Sequence, residues 1–338
     1  MDDKELNEQN KEKLDPLEHI RFRTNYDVCL FNFVDKLTLW SPFVSPEVRK
    51  HFTDNYGLTD EDLKTVEQYQ KARRSLSWEE TAELLNWAYE GFAENDRYQQ
   101  LISAIKYFEG RKNAEGKTLG EEVESAMSVV KQRESEVRIE LAKHNALPVL
   151  AQAEPLFNRV GAHDREVTCY LFFAPTYSVQ GGANGDAITV EVPLGDKDPV
   201  KRIVRTIVHE DAHWVLRPGN FLKGKMGDEP GRFYQQLIKD LYDDKLGDFF
   251  EEAIVYAVAN GVIFKENLQE RIDYIEGVKA RGEYVHGIRY VNLWRAALKM
   301  QPVMEDYFSG RTNVEETRQR IFQTSKDFID RYLSQEKS

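Results

Sequence analysis

Two histidines stand four positions apart in one apolar stretch of the sequence, with a glutamate directly after the first of them. They are His209 and His213 in the segment PVKRIVRTIVHEDAHWVL, residues 199–216, which is followed by Pro218 and Gly219. The spacing of the apolar residues and this stop signal predict a helix. Histidines four apart on a helix lie one turn apart on the same face, so both imidazoles can bind one metal ion. Such polar groups on a core helix are costly unless the fold supplies partners for them.

Glu210 completes the pattern His-Glu-x-x-His, and its position suggests a chemical role. It is placed to reach a water bound to a metal between the histidines, to accept a proton from that water, and to pass it to a leaving amine. Zinc suits this chemistry because it lowers the pKa of its bound water to about 7. The pattern therefore predicts one zinc ion (Zn2+) per chain and hydrolysis of peptide bonds. The alternative is a pair of core histidines hydrogen-bonded to neighbouring groups, which leaves Glu210 buried without a role.

A catalytic zinc needs a third protein ligand as well as an open position for water. His286 is the only histidine after His213, and the extension HExxHxxGxxH is absent. The third ligand is therefore His286 or a carboxylate. Glu251 and Glu252 are the better candidates, since they stand at the head of the otherwise apolar segment FFEEAIVYAVANGVI. Acids are also favourable at helix N-termini through the macrodipole, so one of the two needs no metal to explain it.

Taken together, these residues resemble the gluzincin branch of the zincin metallopeptidases, because HEDAH on an apolar helix is followed by a glutamate on the next core helix. The resemblance implies that His209, His213 and the downstream glutamate hold the zinc, with Glu210 as the general base. Residues 252–257, EAIVYA, are similar to the E-x-L-V-x-A signature of an uncharacterised bacterial family of gluzincin-like proteins. This similarity favours Glu252 as the third ligand.

The resemblance also implies residues that would contact the substrate. Gluzincins commonly place a tyrosine or histidine downstream to hydrogen-bond the oxyanion of the tetrahedral intermediate, and here GEYVHGIRY offers Tyr284, His286 and Tyr290. We select His286 as the catalytic donor; the alternative is an ordinary surface histidine between packed tyrosines. The strand at residues 188–193 would pair with the backbone of an extended peptide.

Strand patterns are few and short. HIRFRT, at 19–24, alternates apolar and basic residues and predicts a strand with one buried face. EVTCYLFFAP and ITVEVPLG predict two more strands between residues 165 and 195, and the turn-rich segment VQGGANGDA separates them. In the second of these strands, Ile188, Val190 and Val192 alternate with polar neighbours, which predicts one buried face and one polar face.

Helical signals fill most of the remaining chain. Ser77 and Glu80 form a capping-box pattern, 117–144 is long and amphipathic, and 229–334 again looks helical. We therefore predict an α+β protein that is mostly helical, with a small antiparallel or mixed sheet that packs, as the zincin resemblance implies, on the HExxH helix. The predicted organisation has three parts: a polar disordered tail at 1–15, a mostly helical N-terminal region at 16–150, and a gluzincin-like catalytic region at 151–338.

Composition excludes several classes of protein. Among 338 residues, 46 are Lys or Arg and 58 are Asp or Glu, and the net charge of −12 argues against nucleic-acid binding as the main task. Two cysteines are too few for a disulfide scaffold or a four-cysteine zinc site. No apolar run reaches the roughly 18 residues of a membrane span, and the polar start MDDKELNEQNKEKLD lacks the apolar core of a secretory leader. We expect a soluble protein that acts on a peptide or protein, cytoplasmic as the sequence is written and extracytoplasmic if a leader was removed.

Two other functions fit parts of the same pattern. Di-iron and di-manganese carboxylate bundles use a glutamate, an ExxH pair, a glutamate and a second ExxH pair on four successive helices. The chain offers such a set in that order: a glutamate within 117–144, Glu210 with His213, Glu252, and Glu283 with His286. Against a bundle, His209 has no role in it and strands interrupt the first two helices. The other alternative is a catalytically inactive protein with a zincin fold that binds its partner without cleaving it.

Overall fold

The computed structural model describes most of the chain between residues 19 and 336. The described residues are 19–40, 44, 46–144, 146–157, 166–175, 179–184, 187–194, 198–216, 246–280 and 288–336. The predicted tail at 1–15 and the first part of the helical segment predicted at 229–334 lie outside them.

The described chain consists mainly of helices, with four short strands among them. The elements before residue 160 are β1 (Ile20–Arg23), α1 (Tyr26–Thr38), α2 (Glu47–Tyr56), α3 (Asp60–Arg74), α4 (Trp78–Tyr89), α5 (Gln99–Glu109), α6 (Leu119–Leu141) and α7 (Ala146–Ala153). The later elements are β2 (Val167–Ala174), β3 (Gly181–Asn184), β4 (Ala187–Pro193), α8 (Val200–Leu216), α9 (Leu246–Tyr256), α10 (Leu268–Ala280), α11 (Ile288–Phe308) and α12 (Val314–Glu336). Short 3-10 turns at Asp96–Tyr98 and Glu154–Phe157 precede α5 and follow α7.

The chain forms two compact units, and the boundary between them falls inside α8. We call them the sheet unit and the helical unit, and they consist of the following parts: 20–143 with 166–210 for the sheet unit, and His19, 144–165 and 211–338 for the helical unit, in each case as far as the chain is described. The boundary at residue 150 between a helical N-terminal region and a catalytic region, which rests on the change from helical to strand patterns in the sequence, stays a prediction.

The sheet unit is built on a mixed four-stranded sheet in the order β1-β2-β4-β3. Strands β1, β2 and β4 are parallel to one another, and β3 is antiparallel to β4. In the register, Cys169 of β2 stands opposite Ile188 of β4, which in turn stands opposite Ala183 of β3. Helices α1 and α6 pack on β2, so that strand is buried along nearly its whole length. The mostly helical α+β class, the mixed sheet and the strand predicted from HIRFRT are confirmed.

Strand β3 forms where the sequence predicts only a turn. Residues 181–184, Gly-Gly-Ala-Asn, pair with residues 187–190 of β4 through backbone hydrogen bonds. The prediction of an uninterrupted turn-rich segment is therefore wrong over these four residues. A Gly-Gly-Ala run has no alternation of apolar and polar side chains, so the two-residue period that indicates a strand is absent from the sequence.

Strand β4 differs from its predicted pattern in two ways. Glu191, expected on a polar face, is fully buried at 0% exposure, and its carboxylate contacts the ammonium group of Lys36 from α1. The lysine provides the opposite charge that a buried carboxylate requires. β4 is also an inner strand, with β2 on one side and β3 on the other. The prediction that 188–193 is the strand which a peptide substrate joins is therefore wrong, because β3 already occupies most of that edge.

The helical unit has its own apolar core, which lies beneath α9. Its members come from α7 and the 3-10 turn after it, from α8, from α9 and the segment that continues it, and from α11 and α12, and the most completely buried include Leu156, Leu216, Phe250, Ile254, Leu293 and Met304. A π-helical segment, Ala257–Ile263, continues α9 directly. Gly261 of this segment lies so close to α11 that an added Cβ would stand 2.9 Å from Cδ of Gln301. The apolar helix predicted around the glutamate pair is therefore confirmed, with a π-helical second half.

The helices of the described chain can also be compared with the dimensions of a membrane. None of them combines the length and the apolar character needed to cross one. This agrees with the absence of a spanning segment expected from the sequence, while the compartment stays a prediction.

A buried carboxylate holds several elements of the sheet unit together. Asp62 is fully buried, and as the third residue of α3 it forms a capping box with Thr59. Nε and Nη2 of Arg111 donate to its two oxygens at 2.8 and 3.0 Å, and the hydroxyl of Tyr107 donates to Oδ1 at 3.0 Å. Burial raises the pKa of Asp62, but the hydrogen bonds from Thr59, Arg111 and Tyr107 outweigh burial and lower that pKa below its ordinary value of 3.8.

We expect Asp62→Asn to lower the free energy of unfolding by about 3 kcal/mol at pH 7, because it leaves Arg111 without its charge partner. Since the folded-state pKa lies below 3.8, the carboxylate stabilises the fold above roughly pH 4 and loses that effect as the pH falls through the folded value. Urea unfolding from pH 7 to pH 3 measures both effects. Asp60→Asn, at the exposed first position of the same helix, is the matched control. Equal losses in the two variants would contradict the prediction.

Candidate metal centre

Helix α8 has one buried face and one partly exposed face, and the HExxH residues lie on the partly exposed one. Four pairs of successive residues are buried at four-residue spacing: Ile203 and Val204, Ile207 and Val208, Asp211 and Ala212, Val215 and Leu216. Between these pairs, His209, Glu210 and His213 are half-buried. The predicted helix is confirmed, and the buried pairs on one of its faces place the motif side chains together on the other face.

His209, His213 and Glu252 come together in one group. Each offers a ligand atom, and these atoms all lie within 4.8 Å of one another. Nε2 of His213 is 2.8 Å from Oε2 of Glu252 on α9. Within the part of the chain that the structure describes, this is the one group of three or more histidine, cysteine or acidic side chains with the geometry to hold a metal ion.

Glu251 and Glu252 contact different nitrogens of the same imidazole. Oε1 of Glu251 lies 3.0 Å from Nδ1 of His213, on the opposite side of the ring from Glu252. Glu251 is also the more buried of the two, at 8% exposure. Successive residues on a helix point about 100° apart, so a consecutive pair can reach two sides of one ring. Both glutamates therefore contact His213. For Glu251, this contact is a second reason for an acid at this position, in addition to the helix macrodipole.

Asp211, the residue directly after the motif glutamate, forms a buried pair with His19. Oδ1 of Asp211 lies 3.2 Å from Nε2 of His19, and the two residues are 2% and 7% exposed. Asp211 occupies a freely variable position of HExxH, so the motif gives no sign of this pair. The only signal in the sequence is an acid at a position that the helical period assigns to the buried face.

The remaining predicted site residues lie beyond what the structure describes. Glu283, Tyr284 and His286 fall within 281–287, outside the described residues, and the backbone of Tyr290 is helical in α11 without a described side chain. The oxyanion role of His286 and the second ExxH pair of a di-metal bundle therefore stay predictions.

Comparisons with protein-family models, curated proteins and solved structures give no match to this chain. The similarity to gluzincins consequently rests on the residues of the motif helix and the glutamate pair alone.

The contact between His19 and Asp211 predicts an energetic coupling. In a double-mutant cycle of His19→Ala and Asp211→Ala, we expect a coupling of about 1–3 kcal/mol in the free energy of unfolding, since a buried pair shares one hydrogen bond. Guanidinium unfolding of the parent, both single variants and the double variant measures it. The control cycle combines Asp211→Ala with His51→Ala, whose carboxylate partner is Glu122. A coupling for His19 no larger than for His51 would show that the buried pair does not contribute as a unit.

Proposed function

We propose that this protein is a zinc-dependent hydrolase of peptide bonds with a zincin-like catalytic region. The observation that carries the proposal is the convergence of His209, His213 and Glu252, whose ligand atoms lie within 4.8 Å of one another. Two of these residues come from an HExxH helix, and the third from the helix whose glutamate the gluzincin resemblance selects.

The donor set fits zinc in a catalytic site. Two imidazole nitrogens and one carboxylate are a common set of three protein ligands, which leaves a fourth position for water. His209 and His213 on α8 with Glu252 on α9 would hold the ion. The same donors also suit iron(II). What favours zinc and hydrolysis is Glu210, a carboxylate beside the ligands on the same face of the helix. Hydrolysis by a metal-bound water needs such a general base, whereas the iron alternative assigns Glu210 no role.

Bound zinc would supply a water whose pKa lies near neutrality. The chain itself supplies the proton acceptor, because Glu210 is half-buried on the turn that carries His209. Its carboxylate would take a proton during attack on the peptide carbonyl and return it to the nitrogen of the leaving amine. Glu210 thus acts first as a base and then as an acid, so one side chain serves both halves of the reaction.

Glu251 would hold the ring of His213 in the orientation that metal binding needs. A ligating histidine usually donates its second ring N–H to a carboxylate or carbonyl, which fixes both its tautomer and its direction. The 3.0 Å contact between Glu251 Oε1 and His213 Nδ1 provides such a partner. Nε2 is then the nitrogen directed toward Glu252 and the proposed metal.

The first test separates the two glutamates by zinc affinity. We expect the parent to bind one zinc ion per chain. Glu252→Gln should weaken binding more than a hundredfold because it removes a ligand, and Glu251→Gln about 10- to 100-fold because it removes a carboxylate that only orients one. Competition with a chromophoric chelator gives the affinities, and elemental analysis gives the metal and its stoichiometry.

The matched control for this series is Glu270→Gln, an exposed position on α10 that should leave zinc affinity unchanged. If Glu251→Gln were the more damaging of the two substitutions, Glu251 would be the ligand instead. A content of two iron or manganese ions per chain would contradict the hydrolase and support the di-metal carboxylate bundle instead.

The second test isolates the proton transfer. Glu210→Gln should keep zinc affinity within about threefold, since Glu210 is not a proposed ligand, and should lower hydrolysis of fluorescein-labelled casein or a fluorogenic peptide pool by about 100-fold or more. Equal rates in parent and variant would refute the role of Glu210. A parent that binds one zinc ion and cleaves none of these substrates would favour the binding protein with an inactive zincin fold.

A further inference from the structure

Strand β3 lies against helix α8 at the turn that carries the proposed base. A Cβ added to Gly181 would stand 2.4 Å from Cγ2 of Thr206, 3.2 Å from Cγ of Glu210 and 3.2 Å from the carbonyl oxygen of Thr189. The first distance is shorter than carbon atoms tolerate, and the other two are tight. Any residue other than glycine at position 181 would therefore clash with α8 unless β3 or the neighbouring side chains moved.

The neighbours of Gly181 have little freedom to yield. Thr206 is β-branched and lies within a helix, where its χ1 angle is restricted. Its hydroxyl donates to the carbonyl of Arg202 at 3.0 Å, so rotation of the side chain would break that bond. The carbonyl of Thr189 belongs to β4, which is paired on both sides. The added Cβ would therefore push β3 away from α8, and this shift would change the contact between β3 and Glu210.

We propose that Gly181 is a positioning residue for Glu210. Because it has no side chain, β3 can approach α8 closely and form one wall beside the Glu210 side chain, which limits the directions that its carboxylate can take. The proposal rests on the proposed function, since it concerns where the base is held. It assigns to the Gly-Gly pair of β3 an asymmetric role, in which the first glycine is required and the second is not.

Gly182 supplies the comparison that this asymmetry needs. A Cβ added there would meet only Oγ1 of Thr189, at an ordinary contact distance of 3.6 Å. Both glycines lie in β3 and pair with β4, Gly181 with Val190 and Gly182 with Thr189. Gly181→Ala and Gly182→Ala therefore add the same methyl group at adjacent positions, and only the first one crowds Glu210.

The experiment measures kcat, KM and zinc affinity for both alanine variants, with fluorescein-labelled casein as substrate. A misplacement of about 1 Å can cost up to a hundredfold in rate, so we expect Gly181→Ala to lower kcat about tenfold or more. Its zinc affinity and KM should stay within about threefold of the parent, because the ligands and the substrate contacts are not displaced. Gly182→Ala should match the parent in all three quantities.

A compensating substitution distinguishes crowding from a general loss of structure. Thr206→Ser removes the methyl group that an added Cβ would strike at 2.4 Å, and it keeps the hydroxyl that bonds to Arg202. In Gly181→Ala/Thr206→Ser, kcat should return to within about threefold of Thr206→Ser alone, even if Gly181→Ala by itself does not fold.

The outcomes separate the two proposals. If the parent is active and Glu210→Gln is not, but Gly181→Ala equals Gly182→Ala, the positioning role is wrong and the proposed function stands. A folded double variant that stays tenfold below Thr206→Ser, or a Gly181→Ala variant that loses zinc affinity, would also overturn the positioning role. If Glu210→Gln is as active as the parent, both proposals fail together.

Discussion

The imidazole of His213 contacts one carboxylate at each of its two ring nitrogens, and this double contact joins α8 to α9. Nδ1 lies 3.0 Å from Glu251 and Nε2 lies 2.8 Å from Glu252. A ring held at both nitrogens has a defined direction as well as a defined position, which a metal ligand requires. The geometry of the proposed zinc site therefore depends on how the two helices pack, and the motif on α8 supplies only part of it.

Burial along α8 fixes which residues this site can use. The buried pairs at four-residue spacing hold one face of the helix in the core, so His209, Glu210 and His213 can only face the other way. Asp211 follows Glu210 directly but belongs to the buried face, where it contacts His19. Two successive acids of one motif thus have opposite surroundings. The half-buried one lies on the face of the proposed metal ligands, where proton transfer would take place, and the buried one contacts the imidazole of His19.

The sequence predicts features that depend on local periodicity and does not predict those that depend on distant partners. The period of apolar residues is enough to place the helix of His209 and His213, and β-branched and aromatic runs are enough to place β2 and β4. β3 is invisible because its Gly-Gly-Ala run has no side-chain pattern, although its backbone ladder with β4 is ordinary. The burial of Glu191 depends on Lys36, which the chain brings from another helix. No short segment of sequence contains both halves of such a pair.

The choice between Glu251 and Glu252 illustrates the same limit at the site itself. Both are glutamates at the start of one helix, so their chemistry is identical and only the rotation of α9 distinguishes them. Exchanging their contacts would require α9 to turn by about 100°, the angle between successive residues. That turn would withdraw Phe250 and Ile254 from the core, where they are 1% and 0% exposed. Removing a large apolar side chain from a packed core costs about 2–3 kcal/mol. The burial of apolar residues on α9 thus determines which of two identical acids faces Nε2 of His213, and with it the proposed third ligand.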